Sequence, residues 1–130
     1  DMQEGVTYEA CSLAGHLSLG KLIVLYDSNK VTLDGPLTLS FSEDVKKRYE
    51  AFGWQVVEVA NGNDMQQMID AFHTAKSLTG KGKPVVILMK TEMGYGVDFM
   101  QGTNKYHGVA PSNDELERAL AQLTETLGDY

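Results

Sequence analysis

The sequence lacks the features that would direct a chain to an oxidising compartment or a membrane. It has one cysteine, Cys11, so an internal disulfide is impossible and a reducing, cytoplasmic location is expected. The longest apolar run, PVVILM at 84–89, is much shorter than the roughly 20 residues that span a bilayer. We expect no signal peptide before the first predicted element, and we expect from the missing initiator Met that the chain is a piece of a longer polypeptide.

Positive charge is also scarce. The chain has 18 acidic and 11 basic residues, a net charge of -7, and its Lys and Arg residues form no stripe. We therefore do not expect nucleic acids or anionic membranes as partners. A bound phosphate group would need backbone N–H groups, a metal ion or one well-placed side chain.

What is present is a regular alternation of helical and strand patterns in 130 residues, the size of one domain. Apolar spacing predicts a first helix over 5–18, and continuous apolar or β-branched runs predict strands at 22–26, 54–59 and 85–89. Spacings typical of helix caps predict three further helices, which begin near Ser40 and Glu43, near Asn63 and Gln66, and near Ser112 and Glu115. This order predicts an α/β fold with a doubly wound, mostly parallel sheet and helices on both faces.

The predicted helices each have an apolar stripe that we expect to face the core. The expected core residues are Val6, Tyr8, Ala10, Cys11, Leu13, Ala14 and Leu17 in the first helix, Met65, Met68, Ile69, Phe72 and Ala75 in the third, and Leu116, Leu120, Leu123 and Leu127 in the last.

Two loops follow strands at the edge where parallel α/β sheets bind ligands, at 27–35 and 90–111. In the first loop, the carboxamide oxygen of Asn29 suits a hard cation such as Mg²⁺ or Ca²⁺. The alternative is that Asn29 only supports a turn through its own backbone. Spacing alone leaves both interpretations open.

The second loop is long for a strand-to-helix connection and contains Gly94, Gly96 and His107. Glycines allow backbone to approach a phosphate, and a histidine can bind an anion or serve as an acid or base. Alternatively, His107 is a solvated side chain. His16 and His73 fall within predicted helices and are expected to be surface or packing residues.

Longer stretches carry a resemblance to a known family. The segment DMQEGVTYEACSLAGHLSLGKLIVLYDSNKVTLDG at 1–35 closely resembles the thiamine diphosphate signature of transketolases. RYEAFGW at 48–54, KTEMGYG at 90–96 and HGVAP at 107–111 continue the match in order. The EG and LAGHL elements favour transketolases over deoxyxylulose-phosphate synthases and dehydrogenase E1 components.

The resemblance implies a homodimeric enzyme of the pentose phosphate pathway that transfers a two-carbon ketol unit between sugar phosphates, using thiamine diphosphate and Mg²⁺ or Ca²⁺. It implies that the Asn29 side chain and the Val31 carbonyl bind the metal, with Met93 and Gly94 beside the cofactor. His107 would lie near the diphosphate and the substrate, where it is the expected catalytic residue. The Glu4-Gly5 pair would lie near the cofactor, with Glu4 buried in the dimer interface.

The family pattern also implies missing parts. Its Gly-Asp-Gly aspartate would fall just before residue 1, and the preceding strand and the pyrimidine-binding domain, which carries the activating glutamate, lie outside the chain. We therefore expect residues 1–130 to be the C-terminal part of the diphosphate-binding domain, with an incomplete fold, weak cofactor binding and no activity alone. The rest could be the same chain or a split C-terminal subunit. Two alternatives are another thiamine diphosphate enzyme, such as a deoxyxylulose-phosphate synthase, and a non-catalytic flavodoxin-like module.

Overall fold

A computed structural model describes residues 1–123 of the chain, which divides into two compact units. The first unit comprises Asp1–Ser28 and Ser40–Thr91. The second comprises Asn29–Leu39 and the described part of the segment that begins at Glu92. Within residues 1–123, no helix is both long enough and apolar enough to cross a membrane.

In the first unit, helix α1 (Gly5–His16) is followed by strand β1 (Ile23–Ser28). The second unit begins with a small hairpin, β2 (Val31–Thr32) and β3 (Gly35–Pro36), and a 3-10 turn at Leu37–Leu39. The first unit resumes with α2 (Val45–Ala51), β4 (Gln55–Val59), α3 (Met65–Leu78) and β5 (Val85–Lys90). In the second unit, a one-turn helix α4 (Lys105–Gly108) precedes α5 (Asn113–Gln122).

The first unit is built on a parallel three-stranded sheet with the order β1-β5-β4. The central strand β5 carries three fully buried residues, Val85, Val86 and Ile87, as its unbroken apolar run predicts. Val86 packs in a cluster with residues of α1 and α2, whereas Val85 and Ile87 pack in a cluster with residues of α3. Helices therefore cover both faces of the sheet, and the predicted doubly wound α/β class is confirmed.

On the α1–α2 side of the sheet, polar and aromatic contacts join three buried residues, Cys11, Tyr49 and Trp54. The Trp54 indole N–H donates to the Cys11 carbonyl at 2.8 Å, and the Cys11 thiol lies 3.6 Å from the Tyr49 hydroxyl, to which it donates. Tyr49 and Trp54 pack edge-to-face with ring centroids 5.1 Å apart. Burial and the neighbouring Cys11 thiol raise the pKa of Tyr49 well above its ordinary value, so its hydroxyl stays protonated.

Several predicted core residues are exposed in this chain. In α1 only Cys11 and Ala14 are buried, while Val6 is 68% and Tyr8 56% exposed, and Ala10, Leu13 and Leu17 are exposed as well. In α3 the buried residues are Ala71 and Ala75, with Met68 and Leu78 packed against them, whereas Met65, Ile69 and Phe72 are largely exposed. Small alanines let the helix approach the sheet closely, so the packing face is rotated from the stripe that the large residues predict.

Two predicted caps are wrong by one or a few residues. Helix α2 is capped by Asp44, whose carboxylate accepts from the Lys47 N–H, and not by Ser40. Helix α3 is capped by Asp64, which accepts from the Gln67 N–H, and not by Asn63. In each case an aspartate closer to the first helical residue has the better geometry for the orphan N–H groups.

The capping box predicted at Ser112 and Glu115 is confirmed at the start of α5. The inward face predicted for α5 is wrong, because Leu116, Leu120 and Leu123 are exposed and Ala119 is its buried residue. Leu127 lies outside the described residues. Strand β1 also extends two residues beyond the predicted end at Tyr26, so the polar residues Asp27 and Ser28 belong to the strand.

Candidate functional site

The carboxyl ends of β1 and β5 are joined by hydrogen bonds in the first unit. Ser28 is in register with Lys90, and the Thr91 N–H donates to the Ser28 carbonyl at 3.3 Å. The Thr91 hydroxyl donates to the Asp27 carboxylate. This side-chain bond was missed from the sequence, where the only available signal was a threonine one residue beyond a buried strand. Asp27 is therefore used to join two strand ends, and Asn29 follows directly after them.

In the second unit, Asn29 forms a local turn. Its carboxamide oxygen accepts a hydrogen bond from the Val31 N–H at 3.2 Å, and the side chain is half-buried. Lys30 adopts a left-handed conformation with φ 66°, which is uncommon for a residue other than glycine. The turn-forming alternative for Asn29 is thus present in the structure. It does not exclude a ligand role, because a carboxamide oxygen has two lone pairs.

The hairpin that follows Asn29 directs the Val31 carbonyl away from the partner strand. Val31 pairs with Pro36, which has no N–H to donate, and the adjacent bond runs from the Leu37 N–H to the Lys30 carbonyl at 2.8 Å. In an antiparallel pair, residues between two hydrogen-bonded positions direct N–H and C=O away from the partner strand. The Asn29 carboxamide oxygen and the Val31 carbonyl therefore lie in one short turn, and both are of the oxygen types that Mg²⁺ and Ca²⁺ take as ligands.

Among residues 1–123, no group of three His, Cys, Asp or Glu side chains is arranged to hold a metal. The ligands expected for this chain are of other types, an amide oxygen and a backbone carbonyl.

The glycines after β5 shape a compact loop in the second unit. Gly94 has φ 66°, and a Cβ there would lie 2.7 Å from backbone atoms of Met100. The Gly102 N–H donates to the Met93 carbonyl at 2.8 Å and closes the loop beside Gly94. Packing against Met100 therefore explains why position 94 needs a glycine, and no bound phosphate is required for this explanation.

His107 lies in the one-turn helix α4, and its side chain is exposed. The Asn104 carboxamide N–H donates to the Leu33 carbonyl at 3.2 Å, and the space beside Gly108 is filled by the Leu33 side chain. These contacts attach the segment that carries His107 to the loop that carries Asn29 and Val31. The second unit thus contains five predicted site residues: Asn29, Val31, Met93, Gly94 and His107.

The remaining two predicted residues, Glu4 and Gly5, lie in the first unit at the start of α1. Glu4 is exposed in this chain, and its side chain makes no capping hydrogen bond. A Cβ on Gly5 would meet no atom of the described chain within 4 Å, so packing within residues 1–123 does not require glycine there.

Glu4 and Gly5 line a cavity of about 370 Å³ whose wall includes Tyr8, Phe41 and Arg48. Arg48 forms an ion pair with Glu43, donates to the Met2 carbonyl at 3.3 Å and lies 5.4 Å from the Phe41 ring centroid. Sequence reasoning missed Arg48, whose only signal was a basic residue directly before the buried Tyr49.

Near His107, the structure shows a polar cluster that was also missed. The Glu115 carboxylate, part of the α5 capping box, also accepts from the Lys105 ammonium at 2.8 Å and from the Tyr106 hydroxyl at 2.7 Å. The bond from Lys105, followed by those from the Ser112 N–H, the Tyr106 hydroxyl and the Ser112 hydroxyl, lowers the pKa of Glu115 to about 2. The carboxylate is therefore ionised at neutral pH.

Comparison with known proteins identifies one family across almost the whole chain. Residues 1–127 match the family model "Transketolase, thiamine diphosphate binding domain". A transketolase of Streptococcus pyogenes is 51% identical over 108 residues, which cover 83% of this chain and 14% of that protein. The chain therefore spans about one seventh of the length of this relative.

Solved transketolase structures have the same fold. The transketolase of Leishmania mexicana superposes with a TM-score of 0.85 at 43% identity, over 92% of this chain and 18% of that one. The transketolase of Pichia stipitis in complex with sedoheptulose-7-phosphate gives a TM-score of 0.82 at 39% identity, over 91% of this chain and 17% of that one.

Proposed function

This chain belongs to the transketolase family through its thiamine diphosphate-binding domain, and we propose that it is part of an enzyme that transfers a two-carbon ketol unit from a ketose phosphate to an aldose phosphate. The observation that carries the proposal is the family match over residues 1–127, within which Asn29 and Val31 form one oxygen-bearing turn directly after β1. The sedoheptulose-7-phosphate bound by the Pichia stipitis relative supports sugar phosphates as substrates.

The site residues have distinct proposed roles. The Asn29 carboxamide oxygen and the Val31 carbonyl would bind Mg²⁺ or Ca²⁺, which neutralises the cofactor diphosphate. Met93 and Gly94 would contact the cofactor beside this turn. When bound, the cofactor would supply carbanion-type chemistry, and these residues would supply binding, orientation and electrostatics.

His107 would hydrogen-bond the diphosphate and the sugar phosphate from the exposed helix α4. Its segment is attached to the Asn29 loop through Leu33, which supports a shared site for the two residues. A neutral imidazole carries one N–H donor and one acceptor nitrogen, as ligand binding or proton transfer requires.

Glu4 and Gly5 would act at a subunit interface near the cofactor. Glu4 is exposed here, and Gly5 has open space where a side chain would be, so both can meet a surface outside the described chain. The largely exposed apolar residues Val6 and Tyr8 on the same helix support such a contact in a homodimer.

We also propose that residues 1–130 form the C-terminal part of the diphosphate-binding domain, because they cover only about one seventh of a full-length relative. The pyrimidine-binding part would come from the rest of the chain or from a split C-terminal subunit. We infer a cytoplasmic location. The isolated 130 residues are expected to be inactive and to bind the cofactor weakly.

The test is a coupled assay of the full-length protein with a ketose phosphate donor, an aldose phosphate acceptor, thiamine diphosphate and Mg²⁺. We expect ketol transfer by the full-length protein and none by the 130-residue chain. Transfer by the short chain alone would contradict the proposed division of the site. A full-length protein that consumes pyruvate and shows no ketol transfer would overturn the proposed activity.

A further inference from the structure

The carboxylate of Glu115 serves two elements of the second unit at once. One oxygen, Oε2, accepts from the Ser112 N–H at 2.8 Å, which is the carboxylate's bond in the capping box, and also from the Ser112 hydroxyl at 3.1 Å. The other oxygen, Oε1, accepts from Lys105 and Tyr106, which belong to α4. A cap alone uses only the first of these oxygens, so the second set of bonds needs a separate explanation.

Apart from the contacts of Asn104 and Gly108 with Leu33, few contacts within the described residues hold helix α4. It has four residues, too few for a helix to be stable by its own hydrogen bonds, and none of them is buried. The His107 side chain is exposed, and the His107 backbone N–H donates to the Asn104 carbonyl at 3.0 Å. The position of His107 must therefore be set by the contacts of its neighbours.

Those neighbours are tied to α5 by two routes. The Lys105 ammonium and the Tyr106 hydroxyl, 3.0 Å apart, share the Glu115 oxygen. The Tyr106 ring packs edge-to-face on Phe99, whose ring lies 4.5 Å from the Arg118 guanidinium of α5. The first route is charge-assisted and ends on the two residues immediately before His107.

We infer that Glu115 is a positioning residue for His107, holding α4 through Lys105 and Tyr106 so that the imidazole is directed at an anionic sugar phosphate or diphosphate. This inference rests on the proposed function, which places His107 in the substrate site. Hydrogen-bonding groups must be held within about 0.5 Å of their productive positions, and an exposed four-residue helix cannot do so without a brace.

The test uses a pair of variants that separate the brace from the cap. Glu115→Gln keeps the side-chain length and one acceptor oxygen for the cap, but removes the charge and one of the two acceptors. Ser112→Ala is the matched control, because it damages the capping box and leaves the bonds from Lys105 and Tyr106 in place. Lys105→Met removes the bond between Lys105 and Glu115 while Glu115 stays in place. This variant replaces Glu115→Gln in the test if Glu115→Gln does not fold.

The first measurement is amide hydrogen exchange in the full-length protein without cofactor or substrate, which needs no activity. We expect Glu115→Gln and Lys105→Met to speed exchange at Tyr106 and His107 by about twofold to fivefold, as the loss of an exposed charged pair allows. Ser112→Ala should change it by less than about twofold. An equal or larger effect of Ser112→Ala would overturn the inference.

The second measurement is steady-state kinetics of the full-length protein. We expect Glu115→Gln to raise KM for the ketose phosphate by about threefold to tenfold, with kcat changed by less than about twofold, and Ser112→Ala to leave both unchanged. Ketol transfer with an unaltered KM would overturn the positioning role. Faster exchange in a protein without any ketol transfer would instead overturn the proposed function that the role requires.

Discussion

The first unit is held by buried apolar side chains, whereas the second has few of them and many polar contacts. Val85, Val86 and Ile87 of the first unit are fully buried between helices. In the second unit the buried hydrophobic residues among those described are Val97 and Ala119. The two units are therefore stabilised differently: the first by its buried core, and the second, which contains five of the predicted site residues, by local geometry and charge.

Polar contacts take the place of a core in the second unit. The Gln122 side chain exchanges two hydrogen bonds with Asp98, each 2.8 Å long, and Glu115 joins α4 to α5. Such bonds are individually weak in water, but several of them together with tight turns can order a loop.

The largest expected effect is on stability and comes from the first unit. Ile87→Ala should lower the free energy of unfolding by about 2–5 kcal/mol, because it leaves a cavity in the central strand. The matched change in the second unit, Leu120→Ala, should cost about 1 kcal/mol or less, because that side chain is 52% exposed. Urea denaturation of the chain measures both. Equal losses would show that the two units do not differ in how they are stabilised.

A second prediction compares two glycines with left-handed backbone. Gly94→Ala should cost about 2–4 kcal/mol, because it combines an unfavourable φ with a clash against Met100. Gly53→Ala should cost only about 1–2 kcal/mol, since φ is +83° there but the space is open. Thermal unfolding and amide exchange in each unit report the losses. A Gly53→Ala variant as damaged as Gly94→Ala would contradict the steric argument.

A third prediction concerns cofactor affinity in the full-length protein. Asn29→Ala should weaken binding of thiamine diphosphate with Mg²⁺ by about tenfold to a hundredfold, or about 1.4–2.7 kcal/mol, since a metal ligand is lost. His16→Ala, an exposed change in the last turn of α1, should leave affinity unchanged. Isothermal titration calorimetry compares the two variants. If both bind like the unchanged protein, Asn29 acts only in its turn.

The smallest expected effect is a pH dependence confined to the second unit. The folded chain lowers the pKa of Glu115 from 4.5 to about 2, so its stabilising bonds are fully present above pH 4.5 and are lost as the pH falls towards 2. Amide exchange at His107, corrected for the intrinsic rate, should lose protection over this range. The Glu115→Gln variant should not show this loss. A variant with the same pH dependence would assign the effect to another group.

Local patterns predicted the elements well where one choice dominated. The unbroken apolar run at Val85–Met89 predicted the strand covered on both faces that β5 forms, and the Ser112–Glu115 spacing predicted the capping box of α5. The caps of α2 and α3 were predicted at the wrong residues because several polar side chains adjoin each helix start. A choice between neighbours depends on backbone geometry that spacing does not contain.

The α/β alternation, the family and the signature motifs could be read from the amino-acid order, because they depend on periodicity and on the succession of residues. The folded chain was needed to show which helix faces are buried, that Thr91 donates to Asp27, and that the Glu115 carboxylate accepts from Lys105, two residues before His107. These features join residues that are distant in the chain or rotate a helix on its axis. They follow from packing and hydrogen-bond geometry in three dimensions, which no local pattern encodes.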